Sequence, residues 1–142
     1  MKKEARRAAE TTKSATAEAV PDAKRVGERL VELCRAGKNF DAIDELYDGD
    51  IVSVENMAPP EMPLTMMGVD AIRGKNKWWF DNNQVHAAAA DGPLVNGDRF
   101  AVHYRYEFTP KAGDSKGKRS KMEEIAVYTV RDGKIIHEAF FG

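Results

Sequence analysis

KMEEIAVYTVRDGKIIHEAFFG, residues 121–142, is the stretch whose reading decides the fold. Two runs rich in β-branched and aromatic residues flank Arg131-Asp132-Gly133-Lys134. Asp-Gly between such runs is a strong hairpin signal, because glycine takes positive φ at no steric cost. A final hairpin of this kind behind N-terminal helices points to a pocket-forming fold.

Working back from it, everything from Gln84 onward alternates apolar and polar, with strands expected at about 84–91, 98–109, 119–130 and 134–141. Asn96-Gly97 makes a tight turn, and the polar stretch Lys111–Lys118 a longer exposed loop. Residues 56–67, NMAPPEMPLTMM, read as a loop, since three prolines exclude both helix and central strand.

The helices lie before these strands. Pro21-Asp22 opens the first, with Val26, Leu30, Leu33 and Cys34 as its apolar stripe and Gly37 as its C-terminal cap. Asn39 is placed to cap a short second helix that turns Phe40, Ile43, Leu46 and Tyr47 inward and ends at Gly49. Residues 51–55 form a strand, and 68–82 a third helix carrying Val69, Ile72, Trp79 and Phe80. The order ααβαββββ defines an α+β domain over residues 21–142, with three helices packed on one curved antiparallel sheet. Residues 1–20 have Val20 as their only large aliphatic residue after Met1 and read as a charged N-terminal extension.

Composition narrows the function. A chain of 142 residues with 42% hydrophobic and 32% charged residues is an ordinary globular domain with room for a core. A net charge of -1 gives no bulk attraction to nucleic acid or to an anionic membrane. No apolar run reaches the roughly 20 residues of a membrane helix, and no apolar core marks a secretory leader. Glu4, Glu10 and Glu18 interrupt the basic residues that a transit peptide would need. The single cysteine, Cys34, excludes an internal disulfide and fits a reducing, cytoplasmic setting. Three histidines without paired spacing make a poor zinc signature, so no metal is expected, nor any cofactor.

The stretch LYDGDIVSV ending at Val54, Gly68-x-x-Ala71-Ile72, Asp91-Gly92-Pro93 and Arg131-Asp132-Gly133-Lys134-Ile135 together resemble the nuclear transport factor 2-like superfamily, in its SnoaL-like and ketosteroid isomerase-like branch. The resemblance covers about residues 22–142 and implies a cystatin-like cone, whose sheet curls around a pocket that the helices close. Strand parity puts Phe100, Val102, Tyr104, Tyr106 and Phe108 on one face and Ala101, His103, Arg105 and Glu107 on the other. Alignment to the isomerase pattern turns Met122, Glu124, Ala126 and Tyr128 inward, and Ile136, Glu138 and Phe140 with them. A three-residue loop with a glycine bulge at Gly133 would produce that pairing, whereas a two-residue turn would shift the last strand by one and favour His137. The first is expected.

The same resemblance nominates chemistry. Glu55, in the context VSVEN, matches the isomerase's carboxylate base, and in an apolar pocket it could shuttle a proton. The isomerase's two oxyanion donors correspond to Leu30 and Ala126, so both are missing and steroid isomerisation is not expected. His86 falls on a pocket-facing position and is the second candidate catalyst. Tyr47, Trp79, Ala88, Val102, Tyr104, Tyr106, Glu124, Ala126, Tyr128, Glu138 and Phe140 complete the expected pocket. The four alanines Ala87–Ala90, with Ala126, imply small walls and room for a bulky ligand, or engineering of a natural scaffold.

The expected partner is a small hydrophobic carbonyl compound, bound or acted on by cofactor-free isomerisation, cyclisation or dehydration. A non-catalytic or engineered ligand-binding scaffold of the same fold is the alternative. The resemblance also implies a homodimer through the outer sheet face.

Overall fold

The computed structural model describes residues 22–142. The charged extension at 1–20 and Pro21 lie outside the described residues. Helix α1 occupies residues 22–35. It turns Val26, Leu30 and Leu33 into the core as expected, with Ala23 and Val31 beside them, while Cys34 is only half-buried. Gly37 ends it at φ 73. Lys38 N donates to Leu33 O at 2.8 Å and Gly37 N to Cys34 O at 3.1 Å, the paired closure of a left-handed glycine cap.

Helix α2, Asn39–Leu46, is not capped by Asn39. Lys38 holds the cap position without a side-chain bond, and the Asn39 amide instead donates to Cys34 Sγ at 3.8 Å. The chain passes from α2 straight into β1, Tyr47–Val54, so Tyr47 is a strand residue and not a helical one. Arg29 clamps α1 to α2 with a two-pronged contact to Glu45, Nε–Oε2 2.7 Å and Nη2–Oε1 3.0 Å.

The proline-rich segment is shorter than the sequence predicts. Its end, Thr65–Met67, forms an edge strand, β2, that pairs antiparallel with β1. Pro59, Pro60 and Pro63 lie ahead of it, so the ladder begins where donors return. Helix α3, Val69–Asn82, leads into β3 (Asn83–Asn96), β4 (Arg99–Pro110), β5 (Ser120–Arg131) and β6 (Lys134–Phe141).

These strands make one six-stranded curved sheet, ordered β2-β1-β6-β5-β4-β3. Four pairings are antiparallel, but β1 runs parallel to β6, so the sheet is mixed and not purely antiparallel. The β1–β6 contact joins residues distant in sequence (Val52 to His137, Ser53 to Glu138), a pairing that local alternation cannot reveal.

The final hairpin departs from the expected loop. Asp132 and Gly133 both have positive φ, 51 and 76, and form a two-residue turn closed by Arg131 opposite Lys134. The register then slips: Val130 faces Ile135, but Thr129 faces His137. The extra residue is Ile136, so the bulge sits there and not at Gly133. Ile135 takes the fully buried core position that was expected of Ile136. Beyond the bulge Tyr128 faces Glu138 and Ala126 faces Phe140, so Glu138 turns inward as expected, by a different device. Asp22 fastens α1 to this turn, accepting from Gly133 N at 2.7 Å.

The core lies between the helices and the inner sheet face. Leu30, Leu46, Ile51 and Ile72 pack there with Phe100, Val102, Ala126 and Ile135, and Phe100 stacks on Tyr128 at 4.7 Å. Gly27 lets α1 approach the sheet, since a Cβ there would stand 2.9 Å from Pro93 Cβ.

Candidate functional site

One end of this core is hollow. A cavity of about 490 Å³ opens between α2, α3, the 56–67 segment and the inner faces of β4, β5 and β6. Glu55, Tyr47, Trp79, Tyr104, Tyr106, Glu124, Tyr128, Glu138 and Phe140 all line it, together with Trp78. Trp79 stands edge-on to Phe108 at 4.9 Å and to Tyr106 at 6.2 Å, which fixes its ring as part of the wall.

Four expected residues lie elsewhere. Val102 and Ala126 face each other across β4 and β5 and are buried in the core, outside the lining. Ala88 pairs with Tyr106 but is exposed. His86 is exposed too, and its Nε2 lies 2.6 Å from Thr109 Oγ1, away from the cavity. The cause is a register shift. Val85 pairs with Phe108 and Ala87 with Glu107, leaving His86 as the extra residue of a bulge. A bulge reverses the inward–outward alternation that parity relies on. The pocket-facing expectation for His86 is therefore corrected. His103 faces outward, with Nε2 2.6 Å from Glu123 Oε1.

Residues that the sequence reading passed over complete the site. Lys75 projects from α3, one turn beyond Ile72 and one before Trp79, a spacing that places all three on one helix face. Its Nζ donates to Ser53 Oγ at 2.7 Å and to Glu55 Oε1 at 2.9 Å, and lies 4.7 Å from the centre of the Phe140 ring. The i, i+3, i+7 series through Ile72, Lys75 and Trp79 places Lys75 on the inward face of α3, but nothing local in sequence shows which carboxyl it meets.

The carboxyls of this site sit in unlike surroundings. Glu55 is paired with the Lys75 ammonium. Glu138 is 1% exposed, and its Oε1 has no hydrogen-bond partner among the described residues. Burial pushes Glu138 up to about 7, against the pull of Lys75 and of the Tyr47 and Ser53 hydroxyls, while the Glu55 charge adds to the rise. Glu124 is likewise pushed up to about 7, by burial first and then by the Glu55 and Glu138 charges, with Lys75 opposing. Above them Tyr104 and Tyr128 share a buried hydroxyl–hydroxyl bond of 2.7 Å. Burial holds the Cys34 thiol up at about 11, which keeps it protonated and unreactive near neutrality. The arrangement offers a lysine-paired carboxyl and two carboxyls shifted toward the neutral acid within one apolar cavity.

Fold and cavity together define a pocket protein of the nuclear transport factor 2-like class. The chain belongs to the SnoaL-like domain family, whose model matches residues 22–142. It is 37% identical to a Mesorhizobium loti protein whose structure is described as a candidate SnoaL-like polyketide cyclase, with a TM-score of 0.77 over 84% of this chain and 97% of that one. A second structure so described, from Jannaschia sp. CCS1, is 15% identical with a TM-score of 0.67 over 85% of each chain. An NTF2-like protein from Burkholderia pseudomallei is 13% identical with a TM-score of 0.66, covering 84% of this chain and 89% of that one. The last two likenesses speak to fold alone. No curated protein matches the chain in sequence. Among the described residues no helix is long and apolar enough to cross a membrane.

Proposed function

We propose that the cavity binds a small hydrophobic carbonyl compound and moves a proton on it without a cofactor, as an isomerase, cyclase or dehydratase would. The observation that carries this reading is the opposed state of two carboxyls in one cavity. Glu55 is salt-bridged to Lys75, and Glu138 is buried, unpartnered at Oε1 and shifted toward the neutral acid. A base and an acid kept apart by their environments are what proton transfer beside a carbonyl requires. Glu55 would take the proton through Oε2, since Lys75 engages Oε1. Glu138 would donate to the carbonyl oxygen as negative charge develops there, in place of the donors absent at Leu30 and Ala126. Glu124, in the same range, is an alternative donor.

Deuterium exchange next to the carbonyl of a bicyclic ketone, 2-decalone, tests this by mass spectrometry. The wild-type protein should accelerate exchange, and Glu55→Gln should abolish the acceleration while cooperative unfolding is retained. An unchanged rate in that variant removes Glu55 from the mechanism.

The second reading is a carrier without chemistry, which the apolar residues Leu30 and Ala126 at the two donor positions favour. Under either reading the outer sheet face is the proposed homodimer surface. Ile125 and Phe141 are cross-strand neighbours there and are 48% and 56% exposed. Light scattering on the wild type and on Ile125→Glu reads the oligomeric state, with a monomer in the variant expected. The setting is proposed to be cytoplasmic, in keeping with a lone unpaired cysteine.

A further inference from the structure

The charged groups on the cavity wall are lopsided. Among its described lining residues Glu55, Glu123, Glu124 and Glu138 carry carboxyls, and Lys75 carries the lone cation. Glu123 is engaged by His103 on the outer face, and Lys75 is engaged by Glu55 and Ser53. Glu124 and Glu138 are left without a salt-bridge partner among the described residues, and Glu138 Oε1 is fully buried with no hydrogen-bond donor. A buried acceptor without a donor is costly unless something supplies one. Proton transfer to a neutral carbonyl needs one base and one acid, so it leaves the half-buried Glu124 unexplained.

Rings line the same wall. Tyr104 and Tyr106 stack at 6.2 Å, Trp79 closes on Tyr106, and Phe140 already holds the Lys75 ammonium over its face. Carboxylates beside aromatic faces recognise an organic ammonium, through charge, N–H donation and cation–π attraction at once. We propose that the cavity selects hydrophobic ligands that carry a protonated amine, with Glu138 and Glu124 as its acceptors. The inference rests on the cavity being the ligand site, and not on whether the ligand is turned over.

The groups that face these two carboxyls set a proton signature. Tyr47 and Ser53 from β1, Glu55 just beyond its end, Lys75 from α3 and Cys34 from α1 surround them, with Tyr104 and Tyr128 beyond. Both acids are partly protonated near neutrality, since burial holds each at about 7. An arriving ammonium favours their charged forms, so binding should release protons.

Calorimetry near neutral pH in two buffers of different ionisation enthalpy tests this, with 1-aminoadamantane and its neutral counterpart 1-adamantanol. The amine should bind at least about tenfold more tightly, a difference of about 1.4 kcal/mol, and should release protons. The Glu124→Gln/Glu138→Gln double variant, checked for cooperative unfolding, should lose that preference. Equal binding of the two guests, or amine binding without proton release, overturns ammonium selection and leaves the carbonyl reading standing. Failure of both guests in a protein that still exchanges 2-decalone deuterium also overturns it. Failure of both guests and of exchange removes both readings.

Discussion

Lys75 Nζ lies 2.9 Å from Glu55 Oε1, so the middle of α3 is tied to the end of β1 across the floor of the cavity. Both side chains are largely buried, at 14% and 23% exposure, so the pair is only partly screened by solvent. Lys75→Met would leave Glu55 without its partner. The variant should lose about 2 kcal/mol at mildly alkaline pH, and less in mild acid, where Glu124 and Glu138, held at about 7, are protonated. Urea unfolding at both pH values checks this. The same variant also removes the cation that holds Glu124 and Glu138 down, so the upper pH limit of any exchange activity should move upward.

Glu124 and Glu138 predict a pH dependence of stability. Each carboxyl is raised from 4.5 to about 7 in the folded state. The folded protein therefore holds protons that the unfolded chain has released, and unfolding gives them up. Stability from this source is full below about pH 4.5 and falls as pH rises toward 7. Glu138→Gln mimics the neutral acid at all pH values. It should gain on the order of 2 kcal/mol over the wild type at mildly alkaline pH, and little at pH 4–5. Chemical unfolding across the range reads it, and a parallel offset at every pH would contradict the assignment.

Tyr104 and Tyr128 share one buried hydroxyl bond of 2.7 Å. Tyr128→Phe leaves the Tyr104 hydroxyl with only the weak Cys34 Sγ contact at 4.0 Å. A loss of about 1 kcal/mol is expected. The double replacement by Phe should cost little more than either single one, because no orphaned hydroxyl remains. A double-mutant cycle by thermal unfolding measures the coupling.

Two glycines in helices should respond in opposite directions. Gly74 in α3 has no atom within 4 Å of where a Cβ would stand, so Gly74→Ala should stabilise by about 0.5–1 kcal/mol through helix propensity. Gly27 in α1 would drive its Cβ to 2.9 Å from Pro93 and 3.0 Å from the Phe100 ring. Gly27→Ala should destabilise by about 1–3 kcal/mol. Unfolding midpoints of the two variants decide it.

Much of the fold was legible because its signals are local. The stripe Val26, Leu30 and Leu33, the cap at Gly37, and the alternation through Phe100, Val102 and Tyr104 depend only on residues near in sequence. Parity failed where the backbone broke its own alternation. His86 and Ile136 are both extra residues in register shifts, and both are expected inward but are not the inward residues of the structure. No residue type at either position announces a bulge. Glu55 and Glu138 could be nominated from the resemblance, but Lys75 could not be weighed, because its importance comes from Ser53, Glu55 and Phe140, which stand 20 or more residues away.

The sequence by itself determined the class of fold, the order of its helices and longer strands, and the membership of the inner faces of β4 and β5, since all of these follow from short-range periodicity and turn chemistry. Tertiary structure alone decided three things. It set β1 parallel to β6, because that pairing joins distant segments. It turned His86 away from the cavity and kept Glu138 in it, through bulges. It also divided the carboxyls into a paired Glu55, a half-buried Glu124 and a fully buried Glu138, the last two shifted upward, because burial and the position of one ammonium belong to three-dimensional surroundings and not to residue type.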